Sequence, residues 1–533
     1  MSCAQCKWHG SNQYHLFKSL KSDQPGRPPA EINLQLGAAL GKTTISHNDL
    51  RLLFAGLDCP PPCESTLQRL QNKIAPMYAE ANTEAMEQNI KTVKDIQKAT
   101  ENDELTVGTD TVYSNSPKGR QMSQPGTQSN SPTIDMATGL LLANKTFSKL
   151  CSNNNCQGHC EKCSGNFSPE MAMDKSEKMA ATENMRFMRN NGLYPTNLLG
   201  DGTDKHLAGI EELNNDKPDV KPPVKLECVT HRARALRRSF YKHDFSEQLV
   251  GTKGARNYPY IRATLSEALV NRAVAELYRG GDKHGGDLSC FISHMRTAKN
   301  NIIPCFSGDH SNCKANSFVC KGKSLESPPY LPHRRYITPS NEDVPLLLET
   351  LDALLSDDYL AKCRLCLNTN KVEATHLRAL KMCPKHKVFR KNYHGRVNSG
   401  LHNASVGLTG SLMIMQGKLR VSVKSRKALL CFREMEKRAT YFQKYVTSER
   451  FRVARKLKRW KVLHMKRYVP VGPVRRRTPT TTKTAKTQCK KPQRKTVRKG
   501  TPNVPPVSKP RSSLRSTKTR YNRQVHGRCC QFC

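Results

Sequence analysis

Apolar and polar positions change period several times along this chain, and those changes outline its elements. Leu105-Thr-Val-Gly-Thr-Asp-Thr-Val-Tyr113 is a β-like run that carries Asp110. Pro125-Gly-Thr-Gln128 marks a turn, since Pro and Gly punctuate regular elements. Ile134-Asp-Met-Ala-Thr-Gly-Leu-Leu-Leu-Ala143 reads as a hairpin bending at Thr138-Gly139. Ser168-Pro-Glu170 predicts a helix start, with serine as N-cap, proline in the first helical position and an acid in the first turn. That helix would run through Met179, Met185 and Met188 and stop at Gly192. Leu193-Tyr-Pro-Thr-Asn-Leu-Leu199 then leads, as a second strand-like run, into Asp201. Strand, hairpin, helix and strand in this order predict an α/β fold, a mixed sheet flanked by helices.

Beyond Asp201 the pattern becomes mostly helical. The segment 264–278 places Leu265, Leu269, Ala273, Glu276 and Leu277 on neighbouring, mostly apolar helical faces, with an end at Gly280-Gly281. The segment 344–360 is another amphipathic helix with leucines at helical spacing. Glu373, in Cys366-Leu-Asn-Thr-Asn-Lys-Val-Glu-Ala-Thr-His376, therefore lies beyond a large helical insertion at about 205–360. Upstream, the first eighty or so residues mix polar turns with short helices such as Asn48-Asp-Leu-Arg-Leu-Leu-Phe-Ala-Gly56. The resulting division is an N-terminal Cys-containing, partly helical region at 1–100, a core at 101–410, a basic helical region at 411–470 and a basic tail at 471–533.

Charge sharpens the picture. Among 533 residues, 88 are Lys or Arg against 44 acids, a formal net charge of +44. An excess this large repels itself unless a polyanion screens it, so nucleic acid is the expected partner. No acid follows Glu449, and Arg455-Lys-Leu-Lys-Arg-Trp460 reads as the end of a basic helix. Val474-Arg-Arg-Arg477 opens a Pro/Thr/Lys tail too polar to build a core and expected to be disordered when free. The tail suits phosphate contacts and holds basic clusters of the nuclear-import kind, so a nuclear location is expected. No apolar run is long enough to cross a bilayer. The start, Met-Ser-Cys-Ala-Gln-Cys-Lys-Trp-His, lacks the apolar stretch of a signal peptide, so the 21 cysteines are expected in a reducing compartment, as metal ligands or free thiols rather than disulfides.

Two chemistries compete for attention. Asp110, Asp201 and Glu373 are hard oxygen donors, and Asp110 and Asp201 follow strand-like runs. Carboxylates converging at strand ends can bind two Mg²⁺ ions about 3.5–4 Å apart and drive phosphoryl transfer. Taken singly, each acid reads as a surface residue or a cap. The second chemistry is sulfur. Cys151-x4-Cys156-x2-His159-Cys160-x2-Cys163 packs five potential ligands into thirteen positions, a zinc-like set whose alternative is free thiols on a mobile loop. Weaker sets are Cys3 and Cys6 with His9 or His15, completed by Cys59 and Cys63; Cys363 and Cys366 with Cys383 and His386; and a small site at His310, Cys313 and Cys320. The ending Cys530-Gln-Phe-Cys533 fits a prenylation box poorly.

The stretch from Asp110 to Leu408 resembles the Mutator-like transposases found as repetitive genes in animal genomes. The likeness rests on Gly108-Thr-Asp-Thr-Val-Tyr113 followed by Gln124-Pro-Gly-Thr-Gln128, on Leu199-Gly-Asp-Gly-Thr-Asp204, on Lys225-Leu-Glu-Cys-Val-Thr-His231, on His310-Ser-Asn-Cys313, and on 366–376 with Cys383-Pro-Lys385 beyond it. The resemblance implies an RNase H-like core interrupted by a helical insertion, with an Asp-Asp-Glu triad on Asp110, Asp201 (Asp204 being its near competitor) and Glu373. It further implies Mg²⁺ or Mn²⁺ as cofactor, transposon ends and target DNA as partners, and strand cleavage followed by strand transfer. By analogy a homo-oligomer would pair two ends. The family's Cys-x-x-His element falls on Cys228 and His231, where a local structural role, with or without zinc, stands beside direct DNA contact. The Asn/Gln-rich segment that usually precedes the Glu is shortened here to Thr369-Asn-Lys-Val-Glu373. The alternative function is a catalytically inactive or domesticated DNA- or chromatin-binding protein that keeps the fold.

Overall fold

The run around Asp110 forms two short strands, β1 (Thr106–Thr109) and β2 (Val112–Ser114), in the computed structural model. The structure describes residues 18–20, 30–114, 126–151, 156, 163–201, 205–215, 220–284, 287–385, 387–421, 423–449 and 451. Cys3, Cys6, His9, His15, His159, Cys160, Asp204, His386 and the basic tail therefore lie outside the described residues.

The hairpin expected at Thr138-Gly139 is present. Strand β3 (Gln128–Asp135) turns into β4 (Leu141–Ser148) through Gly139 at φ 78°, a left-handed conformation that glycine adopts without strain. Asp135 fixes the turn by accepting from the N–H groups of Ala137 at 3.1 Å and Thr138 at 2.8 Å. Both β1 and β2 pair antiparallel with β3 in one uninterrupted register, Thr109 opposite Thr133 and Val112 opposite Asn130. Carried one residue past Thr109, that register sets Asp110 opposite Pro132, which has no N–H to give to the ladder. The break between β1 and β2 falls there. Strands β5 (Asn197–Gly200) and β6 (Val224–Glu227) extend the sheet on the other side of β1, both in parallel. The result is a six-stranded mixed sheet, β4-β3-β1-β5-β6, with β2 continuing the line of β1 along β3.

Alternation along the strands loads both faces. Val107, Leu142 and Leu198 pack against Ala181, Met185 and Met188 of the helix Lys175–Asn190 and against Ile90 and Val93 of the 37-residue helix Glu64–Thr100. Their neighbours Leu141 and Leu199, with Ile134 and Leu226, pack instead on Val372, Ala379, Val397 and Leu401 of the helices Asn370–Met382 and Tyr393–Val406. Buried side chains of this size each contribute about 1.5–3 kcal/mol. Sheet and helices thus clamp one another from two sides, and the strand ends inherit that rigidity.

Several elements differ from the sequence reading. The helix opens at Lys175, not at Ser168-Pro-Glu170, because Phe167 and Met173 are buried against Phe147 and Ala180 and hold the intervening chain across the hairpin. The helix expected to end at Gly280-Gly281 continues as Tyr258–His284. Those glycines serve close approach: a Cβ at Gly280 would sit 2.8 Å from Met295 Sδ, and one at Gly281 would sit 2.6 Å from Cys366 Sγ. The 344–360 helix is two, Asp343–Leu355 and Asp357–Lys362, broken at an extended Ser356. The stretch 205–360 contains β6 as well as helices. From Val229 to Cys363 its buried residues form a core of their own, separate from the sheet. Near the amino end, the helices Glu31–Leu40 and His47–Gly56 lie on the long helix Glu64–Thr100. No helix among the described residues is long and apolar enough to cross a membrane.

Candidate active site

Strand register decides what the sheet's edge presents. In the parallel pair β1–β5, Gly108 is matched with Leu199; two residues further on, the same offset sets Asp110 beside Asp201. In the pair β5–β6, Leu199 is matched with Leu226, and the same step sets Asp201 beside Cys228. The Cys228 N–H donates to the Gly200 carbonyl at 3.1 Å, so this row continues the ladder. Asp110, Asp201 and Cys228 therefore leave three adjacent strands at one level and from the same ends. Neighbouring strands lie roughly 4.8 Å apart.

The helix Asn370–Met382 brings the third acid to this edge, and three contacts fix its start. Its N-cap, Thr369, donates to the Cys228 sulfur from its backbone N–H at 3.3 Å and from its hydroxyl at 3.4 Å. Lys371 donates to the carbonyls of Met136 and, at 3.0 Å, Ala137 in the hairpin turn. Val372 packs onto Gly108, where a Cβ would come within 3.0 Å of Val372 Cγ2 and 2.5 Å of Met136 Sδ. Glycine inside β1 thus permits the helix to approach the strand. One helical turn beyond Glu373, His376 Nε2 lies 3.4 Å from Asp110 Oδ2. Glu373 accordingly sits between a clip at Cys228 and a contact at Asp110.

The electrostatics follow from these neighbours. Burial pushes the Asp110 carboxyl up, but His376, the Thr111 N–H and His206 outweigh it and hold the group below its ordinary value. Burial pulls His206 down, against the carboxylates of Glu177, Asp110 and Asp201, and its Nε2 lies 3.4 Å from Thr111 Oγ1. For Cys228, burial is overcome by His231 and by both Thr369 donors, which bring the thiol down to about 7. His231 is raised by the Cys228 sulfur and further by Asp201. Nearby acids are committed elsewhere: Glu227 pairs with Arg232 at 3.4 Å, and Glu177 accepts from Tyr113 at 2.5 Å.

The strand offsets thus set Asp110, Asp201 and Cys228 in one row, and Glu373 lies on the helix whose Thr369 contacts Cys228 and whose His376 contacts Asp110; the three acids are not among the metal-competent groups of the described residues. Sequence reasoning did not assign His206, His376 or Thr369. The spacing of Glu373 and His376, three apart on a helix, is the signal that could have found His376.

The sulfur sets divide differently. Cys151, Cys156 and Cys163 converge, their donor atoms within 4.8 Å of one another and Cys156 Sγ 3.8 Å from Cys163 Sγ, a group that could hold a metal ion. Cys363, Cys366 and Cys383 do not converge; each faces a backbone carbonyl, of Glu227, Leu277 and Tyr393 respectively. Cys63 caps the helix Glu64–Thr100 beside the hydroxyls of Ser65 and Thr66. A second metal-competent group joins His310, Cys313 and Cys320 to Cys305, which the sequence reading had not included.

The fold is a mixed α/β sheet in which Asp110 and Asp201 follow two adjacent parallel strands, in a strongly basic chain. A family model described as Mutator-like transposase matches residues 1–320, and the chain belongs to that family. The match covers Asp110, Asp201, Cys228 and His231, while Glu373 lies beyond it. Neither a curated protein nor a solved structure matches the chain. Family membership points to a transposase-related function on DNA.

Proposed function

We propose that this chain catalyses metal-dependent cleavage of DNA strands at transposon ends and their transfer to target DNA, on an RNase H-like core. The observation that carries the reading is the register placing Asp110 beside Asp201, with the Glu373 helix clipped to the same edge. A mixed sheet in which the antiparallel hairpin β3–β4 precedes the two parallel strands β5 and β6, with Asp110 following β1 and Asp201 following β5, supports the RNase H-like assignment.

The donor set fits Mg²⁺ or Mn²⁺: Asp110, Asp201 and Glu373 offer hard carboxylate oxygens. His376 Nδ1, buried and without a hydrogen-bond partner among the described residues, marks a polar spot in the same place. When bound, a pair of such ions would activate the attacking oxygen and stabilise the leaving one. The chain's own contribution is positional. Asp110 and Asp201 are held by a sheet buried on both faces, and Glu373 by Thr369, Lys371 and Val372. His376 and the Thr111 N–H keep Asp110 ionised and ready to coordinate. Lys and Arg outside the site would hold the phosphate backbone without reading sequence.

The test is nicking of DNA that bears the element's own ends, with Mg²⁺ or Mn²⁺. Asp201→Ala should abolish cleavage while leaving DNA affinity intact. Undiminished cleavage in that variant would remove Asp201 from the site, and binding without cleavage in the unaltered protein would favour a DNA-binding protein that keeps the fold.

A further inference from the structure

The helical insertion contains a second constellation, remote in sequence from the carboxylates, that the proposed reaction does not use. Cys305 lies on the short helix Ile302–Phe306, His310 in the loop after it, Cys313 at the start of the helix Cys313–Asn316, and Cys320 in the following loop. One donor atom from each lies within 4.8 Å of every other. His310 Nδ1 is 3.5 Å from Cys305 Sγ and 3.3 Å from Cys320 Sγ. Zinc bonded to sulfur at ~2.3 Å and to nitrogen at ~2.0–2.1 Å in a tetrahedron sets N···S edges of roughly 3.5 Å. The observed edges match that figure, without any rearrangement of the imidazole.

We propose that Cys305, His310, Cys313 and Cys320 form a structural Zn²⁺ site that braces the end of the helical insertion. Four protein donors fill a tetrahedral shell and leave no open position for substrate, which is the pattern of a structural rather than a catalytic ion. Cys305 and Cys313 are buried, while His310 and Cys320 are partly exposed and give the ion a way in.

The surroundings are built around these donors. His310 presents Nδ1 to the sulfurs while its Nε2 lies 3.1 Å from the Tyr336 hydroxyl, an outer partner that fixes ring orientation and leaves the Nδ1 lone pair for the metal. Tyr336 is itself held, its oxygen accepting the Leu325 N–H at 2.9 Å. Three thiolates and one neutral imidazole around Zn²⁺ leave one negative charge, which is costly when buried without a partner. Arg272 offsets part of that cost, with its guanidinium 3.5 Å from Cys305 Sγ. The same Arg272 pairs with buried Glu276 at 2.8 Å and donates to Ser317 at 3.0 Å. Ser317 in turn accepts the Cys320 N–H at 2.8 Å, so one polar network from the helix Tyr258–His284 fixes the last ligand's backbone. Free thiols would need none of this arrangement.

The test uses the full-length protein, expressed with Zn²⁺ and dialysed without chelator, with zinc measured by mass spectrometry of the metal. Cys313→Ser/Cys320→Ser should lose one zinc equivalent relative to the parent, and Cys156→Ser/Cys163→Ser, altering the other sulfur group, should retain the equivalent lost by the first variant. Equal zinc content in the parent and the Cys313/Cys320 variant would overturn the proposal. Should that variant fail to fold, alkylation of the unaltered protein decides. Cys305, Cys313 and Cys320 should be protected with Zn²⁺ present and labelled after chelation. Identical labelling under both conditions, or a disulfide among these cysteines, would sink it.

Discussion

Removing the Cys228 sulfur tests how the third acid is positioned. In Cys228→Ala the Thr369 N–H loses its only acceptor among the described residues, and the Thr369 hydroxyl loses one as well. An orphaned buried donor costs about 1–3 kcal/mol, and the void left by one heavy atom adds about 1 kcal/mol. The start of the helix Asn370–Met382 should therefore loosen by about 2–4 kcal/mol. Because each 1.4 kcal/mol is about tenfold, backbone amides near Glu373 should exchange with solvent deuterium roughly 30- to 1000-fold faster. Amides of the helix Tyr258–His284, in the separate insertion core, should be unaffected. Cys228→Ser keeps an acceptor and should recover most of the protection. Protonation offers a second handle. The folded thiol titrates at about 7, below its ordinary 9.0, so its contribution is complete above pH 9 and disappears as pH falls through about 7. Corrected for intrinsic exchange, protection near Glu373 should weaken over that window in the parent and stay level in Cys228→Ser. Parental exchange rates in Cys228→Ala would refute the clip.

Two further perturbations address the same edge. Gly108→Ala puts a Cβ 2.5 Å from Met136 Sδ and 3.0 Å from Val372 Cγ2; the thioether can swing away more readily than the valine, so we expect a loss of about 1–3 kcal/mol in urea unfolding and a fall in cleavage larger than any fall in DNA affinity. His376→Gln removes the main group holding Asp110 below its ordinary value. The stability that the ionised Asp110 contributes is present above the ordinary carboxylate range and lost as pH falls through the depressed value, so the variant's acid-unfolding limb should move to higher pH. An unmoved limb would mean that the 3.4 Å contact does not govern Asp110.

The runs around Asp110 and Asp201 and the bend at Thr138-Gly139 were legible from short β-like patterns and turn residues, and both acids fall at strand ends, whereas β3 is largely polar and β6 lies in a stretch that reads as helical. What the sequence could not carry is pairing. That Asp110, Asp201 and Cys228 share one row depends on the offsets between strands about 90 and 27 residues apart, which no local pattern encodes. Helix limits failed where distant side chains decided them, at Phe167 and Met173 before Lys175, and at Gly280-Gly281, which read as a stop and serve as room for Met295 and Cys366. Cys305 lies in the apolar run Ile302-Ile-Pro-Cys-Phe306, and only the fold brings His310 Nδ1 to 3.5 Å from its sulfur.

Anomalous diffraction from crystals grown with Mn²⁺ would show whether Asp110, Asp201 and Glu373 hold a pair of divalent ions. Two peaks about 3.5–4 Å apart are expected at the carboxyl ends of β1 and β5, with oxygens of all three residues coordinated to them. Manganese absent from that edge, or bound there with Glu373 turned away, would contradict that assignment.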